Sequence, residues 1–148
     1  MKTGHVGKLS KYNRMGQKFA GIYSGYAASH GIAESVLSVL YSVYLGGETT
    51  TQTDICEEWS ASMQTVNSCL KKMEKAGLLR LSQVEHNRRK KKIVLTSEGE
   101  LLAKRLVVPL VEAENAAFLS LDTEEQELLF SLTEKHLVFL KTEVEKIE

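Results

Sequence analysis

The sequence predicts a mainly helical α+β fold with one small β-hairpin, and three observations carry that prediction. Apolar residues recur at helical spacing over residues 8–30 and 33–45, and again after residues 97 and 122. Between them, residues 51–77 read as two shorter helices joined by a turn of three or four residues. Residues 79–84 and 91–95 then read as two strands, joined by a tip made almost entirely of arginine and lysine.

Length and composition bound the answer. A chain of 148 residues fits one compact domain, or one domain with a dimerisation extension. Its 43% hydrophobic content is that of a globular protein rather than a disordered one. No apolar run approaches the ~20 residues a membrane helix needs. The opening MKTGHVGKLSKYNR lacks the apolar core of a signal peptide, so a cytoplasmic protein is expected.

The formal charge is zero but unevenly spread. Residues 62–97 carry nine Lys/Arg against two Glu, a balance of +7. Residues 1–30 carry five basic side chains and no acid, whereas residues 98–148 carry five basic and twelve acidic ones, a balance of −7. A basic middle in an otherwise acidic chain is the footprint of a polyanion partner. Solvation of helix faces accounts for the acidic end better than for the basic tip.

The first helix, over 8–30, carries Leu9, Tyr12, Phe19, Ile22, Tyr23 and Tyr26 on a stripe, with Gly31 as its stop. Such a stripe is more often core or subunit interface than a binding box. Gly16, Gly21 and Gly25 weaken that helix by up to ~1 kcal/mol each relative to alanine, and leave room for a close neighbour. The second helix, over 33–45, is apolar on more than one face through Val36, Leu37, Val39, Leu40, Val43 and Tyr44, which predicts deep burial. Gly46-Gly47 ends it, and residues 48–50 can form a short strand pairing with the hairpin.

Thr51 caps the third helix, with Asp54 three residues on as its box partner. Ile55 and Trp59 share one face of that helix. Ser62 caps the fourth, whose inner face is Val66, Cys69, Leu70 and Met73 and whose stop is Gly77. After the hairpin, Thr96 or Ser97 caps a fifth helix with Glu98 and Glu100 in its first turn, where the helix dipole favours acids. Pro109 is expected to kink or restart it. Asp122 and Glu125 box the start of the sixth helix. Its stripe of Leu129, Leu132, His136, Phe139, Leu140, Val144 and Ile147 has too little domain left to pack on, so a second copy should cover it.

A helix-turn-helix followed by a basic hairpin is the plan of a winged-helix DNA reader. A helix fits the major groove, and its N-terminal turns meet base edges. Gln64 and Asn67 carry amides that can pair with adenine. Ser62, Thr65 and Ser68 offer hydroxyls, and Ser68 joins the two amides as a groove reader. Lys71 and Lys72 offer charge to phosphates. At the tip, Arg88 and Arg89 suit the enhanced negative potential of a narrow minor groove, and Lys90, Lys91 and Lys92 suit the flanking phosphates. Cys56 and Cys69 lack zinc spacing and a basic activator, and read as small core residues.

The ordered set Thr51-Gln52-Thr53-Asp54-Ile55-Cys56-Glu57-Glu58-Trp59, Ser62-Met63-Gln64-Thr65-Val66, Leu70-Lys71-Lys72-Met73-Glu74-Lys75-Ala76-Gly77-Leu78-Leu79, Asn87-Arg88-Arg89 and Val94-Leu95-Thr96-Ser97-Glu98-Gly99 resembles the multiple-antibiotic-resistance-regulator (MarR) family. The last two segments are close to that family's D-x-R…L-T-x-x-G pattern. Asn87 stands where the family usually has Asp, which removes the acid that orients the matching Arg89, and Ala33 stands where a capping threonine is frequent. The resemblance implies an obligate homodimer held by the terminal helices, acting usually as a repressor on a pseudo-palindromic operator. It also implies small aromatic or phenolic effectors, bound between the dimerisation and DNA-binding parts. Tyr12, Phe19, Tyr23, Tyr26, His30 and Tyr41 are the candidate lining.

The expected organisation is a helical dimerisation region over 1–32 and 98–148, with a winged helix-turn-helix over 33–97. Its partners are double-stranded DNA, a second copy and a small inducer, with no membrane, resident cofactor or metal. The four histidines, His5, His30, His86 and His136, are scattered, and no nucleophile–base pair or glycine-rich phosphate loop marks an enzyme. The alternative reading is a winged-helix protein-interaction module without specific DNA binding.

Overall fold

The computed structural model describes residues 3–84 and 87–147, with backbone alone for 3–6, 48, 84 and 87–90. Six helices and one antiparallel hairpin follow in the order α1 (Thr3–Ser29), α2 (Glu34–Gly46), α3 (Gln52–Glu58), α4 (Met63–Lys75), β1 (Leu79–Val84), β2 (Asn87–Leu95), α5 (Ser97–Leu119) and α6 (Thr123–Glu145). Among the described residues, no helix is long and apolar enough to cross a membrane. The chain divides into two compact units, residues 1–107 and 108–148.

The core of the first unit forms where the apolar pattern places it. Leu37, Val39, Leu40 and Val43 of α2 are buried, with Ile55 of α3 and Val66, Leu70 and Met73 of α4. Leu79 and Ile93 close the base of the hairpin, and Ala103, Leu106 and Val107 bring in the first half of α5. Burying a Leu, Ile, Val or Met of this kind is worth roughly 1.5–3 kcal/mol each, so this is where the first unit draws its cohesion. Cys69 joins this core, its thiol 3.4 Å from Ser35 O, whereas Cys56 is only half-buried and not the core residue expected.

Three local features differ from expectation, each for a physical reason. Residues 48–50 do not form a strand. Gly47–Thr49 is a 3-10 turn, closed by Thr50 N donating to Gly47 O at 3.2 Å. Thr51 is already committed as the α3 cap, and among the described residues one bridge, Thr51 to Lys92, and one backbone bond, Ile93 N to Thr50 O at 3.0 Å, reach the hairpin. Strand β2 begins at Asn87 rather than at 91, because backbone pairing with β1 tolerates the lysines that depress its strand propensity. Helix α5 runs unbroken through Pro109, which removes one helical donor without ending the helix.

The second unit contains α6 and the end of α5. Here Asp122 and Glu125 make the expected reciprocal cap, and the Phe118 and Phe130 rings lie 5.2 Å apart. No described residue of α6 is buried. Leu129, Leu132, Phe139, Leu140 and Val144 of the expected stripe are all about half exposed.

Candidate nucleic-acid interface

The α3–α4 turn is built by capping at both ends. Thr51 Oγ1 accepts from Asp54 N, while Asp54 accepts from Thr51 N at 2.7 Å. At the other end of α3, Ser60 N donates to Glu57 O and Ala61 N to Cys56 O. That pair of bonds is a Schellman stop, which needs a left-handed residue, and Ser60 supplies it at φ 49°. Ser62 then accepts from Thr65 N at 3.1 Å and opens α4. Two longer contacts fix the turn: Gln52, 8% exposed, donates to Met63 O at 3.4 Å, and Trp59 Nε1 donates to Ser42 Oγ on α2 at 3.2 Å.

With Val66, Cys69, Leu70 and Met73 turned inward, α4 presents Ser62, Gln64, Thr65, Ser68 and Lys71 to solvent, with Asn67 half-buried beside them. All six expected α4 residues therefore lie along one capped helix, and Lys72 is also exposed. The hydroxyls of Ser62 and Thr65 lie 2.8 Å apart, so both are already engaged in the cap.

The wing is tied to α4 through backbone groups. Glu74 Oε1 accepts from Leu81 N at 3.2 Å, satisfying a β1 donor from the α4 side. Thr96 Oγ1 donates to Gly77 O at 2.6 Å and accepts from Gly99 N at 3.1 Å, and Thr96 N donates to Leu78 O at 3.1 Å. Gly77 turns the chain at φ +74°. Gly99 lies so close to Leu78 that a Cβ there would fall on the Leu78 carbonyl oxygen. The spacing from Thr96 to Gly99 is thus a joint between the wing and α5.

In the hairpin, Leu79 to Gln83 pair with Leu95 to Lys91 in simple register. Val84 then pairs with Asn87, with an irregularity in the register between Gln83 and Val84. The side chains of Arg88, Arg89 and Lys90 lie outside the described residues, as do Glu85 and His86. Lys91 is exposed and Lys92 half-buried.

The candidate effector residues are spread along α1 and onto α2. Tyr12 and Phe19 are exposed, Tyr23, Tyr26 and Tyr41 half-buried, and His30 exposed. At 1.5 Å per residue, Tyr12 and Tyr26 are separated by about 21 Å along α1. Tyr26 and His30 do meet, ring centroids 4.4 Å apart, and Tyr26 OH donates to Leu106 O at 2.8 Å. A groove of about 290 Å³ opens elsewhere, lined by Val43, Tyr44, Gly47, Ile93, Val94, Leu95, Glu100 and Lys104. None of the six aromatic-face positions lines it.

Two residues of this region are invisible to pattern reading. Gln52 and Glu74 look like ordinary helix-surface polar residues, and only the fold shows them bonding backbone across elements. Met63, which helical spacing places on the outer face, is 51% exposed at the first position of α4, its sulfur 3.7 Å from the Cys56 thiol. Burial, and then the charge of Glu57, raise the Cys56 pKa, so that thiol stays protonated at neutral pH. Among the described residues, no three of His, Cys, Asp and Glu cluster as metal ligands would.

A helix-turn-helix running into a two-stranded wing, with long helices before and after it in the chain, defines a winged-helix fold. The MarR family model matches residues 30–90, the stretch that holds most of the winged helix, so this part of the chain is similar to the domain of that family. The likeness extends over the whole fold. A MarR family regulator from Neisseria meningitidis superposes with a TM-score of 0.81 at 21% identity, covering 95% of this chain and 99% of that one. S. aureus MepR in its DNA-binding conformation gives 0.77 at 21% identity, covering 90% and 98%. Bordetella bronchiseptica BpsR, whose DNA binding is regulated by 6-hydroxynicotinic acid, gives 0.66 at 21% identity, covering 89% and 98%. No curated protein matches the chain.

Proposed function

We propose that the protein is a sequence-specific, double-stranded-DNA-binding transcriptional regulator, acting as a homodimeric, ligand-responsive repressor on a pseudo-palindromic operator. The observation that carries this reading is the exposed polar face of α4, capped at its N-terminus and braced against a wing whose second strand carries Arg88-Arg89-Lys90. Gln64, Asn67 and Ser68 read the major groove, and Arg88 and Arg89 the minor groove. Ser62, Thr65, Lys71, Lys90 and Lys91 hold phosphates, which fix register without reading sequence.

Residues 1–32 and 98–148 serve dimerisation, and 33–97 DNA binding. Support for the dimer comes from apolar surface that one copy leaves open: Leu9, Tyr12, Met15, Phe19 and Ile22 on α1, and the half-exposed apolar residues of α6. Apolar faces of that extent on a soluble chain are covered by a partner. The effector is a small aromatic or phenolic compound held against α1 at Tyr12, Phe19, Tyr23, Tyr26, His30 and Tyr41. Regulation of BpsR by 6-hydroxynicotinic acid supports that chemistry.

Selection of bound sites from random duplex DNA tests the proposal. Two half-sites about one helical turn apart, bound with a steep salt dependence, are the expected result. Recovery of no shared sequence, with weak and salt-insensitive binding, would favour the protein-interaction module instead.

A further inference from the structure

Met63 is a large apolar side chain at the one place on α4 where the DNA reading needs polar or charged groups. It is the first residue of the helix and 51% exposed, while Val66, Leu70 and Met73 on the inner stripe are at most 1% exposed. Its position is unusually well fixed. The carbonyl accepts from buried Gln52 at 3.4 Å, the preceding Ser62 caps the helix, and the sulfur meets the Cys56 thiol at 3.7 Å. The side chain is thus held at its middle, with its terminal methyl beyond the anchor. Asn67 lies four residues on, one turn along the same face.

Resting on the DNA-binding reading above, we propose that Met63 is a specificity residue that packs on the 5-methyl group of thymine in the major groove. In the major groove thymine alone among the four bases presents a methyl group, and apolar side chains are the groups that read it. Asn67 alongside is suited to adenine. Together they make the N-terminal turn of α4 a reader of adjacent A·T pairs, with amide and thioether side by side. Phosphate contacts do not depend on this pair, so the effect belongs to sequence choice rather than to overall affinity for DNA.

The test is a double comparison on duplexes recovered by selection, each thymine replaced in turn by deoxyuridine, which removes only the methyl. Wild-type protein should lose about fourfold in affinity at one thymine per half-site, the value of one buried methyl-sized group. Met63→Ala, which removes the contact in both half-sites, should bind the thymine duplex about sixteenfold more weakly, fourfold for each half-site, and show no further loss with deoxyuridine there. Met63→Leu should keep the discrimination. Equal deoxyuridine penalties in wild type and Met63→Ala, or no penalty at any thymine in wild type, would overturn the assignment while leaving salt-dependent DNA binding in place. Loss of all salt-dependent duplex binding by the wild-type protein would remove the DNA reading itself, and the role of Met63 with it.

Discussion

Gly99 lies in the first turn of α5, where helix propensity alone makes alanine better than glycine by up to ~1 kcal/mol. The packing reverses that sign. A Cβ on Gly99 would overlap the Leu78 carbonyl oxygen, with Leu78 C at 2.9 Å and Leu95 Cβ at 3.4 Å leaving little room to turn aside. Clearing the overlap moves Leu78 away from α5 and strains the bond from Thr96 N to Leu78 O and the Thr96 cap on Gly99 N, both 3.1 Å. Breaking one neutral hydrogen bond costs ~1 kcal/mol, removing a cap ~1 kcal/mol and overpacking ~1–3 kcal/mol. Against the propensity gain, Gly99→Ala should cost about 2–4 kcal/mol. For a chain of this size that lowers Tm by roughly 4–16 °C. Thermal unfolding followed by circular dichroism at one fixed protein concentration measures it, since dimerisation makes Tm concentration-dependent. Gly77→Ala is the internal comparison: its Cβ would meet only Glu98 Oε2 at 3.7 Å, so its cost is the left-handed backbone, ~1–2 kcal/mol. A Gly99→Ala protein that melts at or above wild type, or loses no more than Gly77→Ala, would refute the steric account.

The remaining expectations concern DNA and assembly. Arg89→Ala should weaken binding to the selected duplex by ~1–3 kcal/mol with the dimer unchanged by light scattering, and unaltered affinity at fixed salt removes this arginine from the wing's role. Lys71→Ala should weaken binding to all duplexes alike and flatten the log–log salt slope by about 1.8, the share of two neutralised phosphates, one for each protomer. If the slope holds, Lys71 does not meet a phosphate. Leu140→Glu places a charge on the half-exposed face of α6 and should shift sedimentation toward monomer at micromolar concentration, whereas an intact dimer would show that another face is used.

What the sequence discloses and what it hides divide along the range of the interaction. The caps at Thr51, Ser62 and Asp122 form as read, because cap chemistry involves residues three apart in one segment. The inner face of α4 is legible for the same reason, since period alone places Val66, Leu70 and Met73. The start of β2 is hidden because its residues have poor strand propensity, and only pairing with β1 recruits them. The 3-10 turn at Gly47–Thr49 is hidden because Thr51 belongs to two patterns, strand and cap, and the cap prevails. The outward place of Met63 is legible too, since the period that turns Val66, Leu70 and Met73 inward leaves it outside.

The orientation of the reading surface is set by a common device. Gln52 holds Met63 O, Glu74 holds Leu81 N, Thr96 holds Gly77 O, and Thr50 O holds Ile93 N. In each of the four bonds at least one partner is a backbone group, and none involves Gln64, Ser68, Lys71 or the segment 88–90. The angle between α4 and the wing therefore rests on backbone groups and on side chains outside the proposed reading set, with Met63 taking part through its carbonyl alone. That separation bears on Asn87, which pairs with Val84 beside the register irregularity and cannot supply the charge an aspartate would. Any effect of that difference belongs to the tip, whose side chains lie outside the described residues. It leaves the base of the wing, fixed by Thr96 and Glu74, as it was.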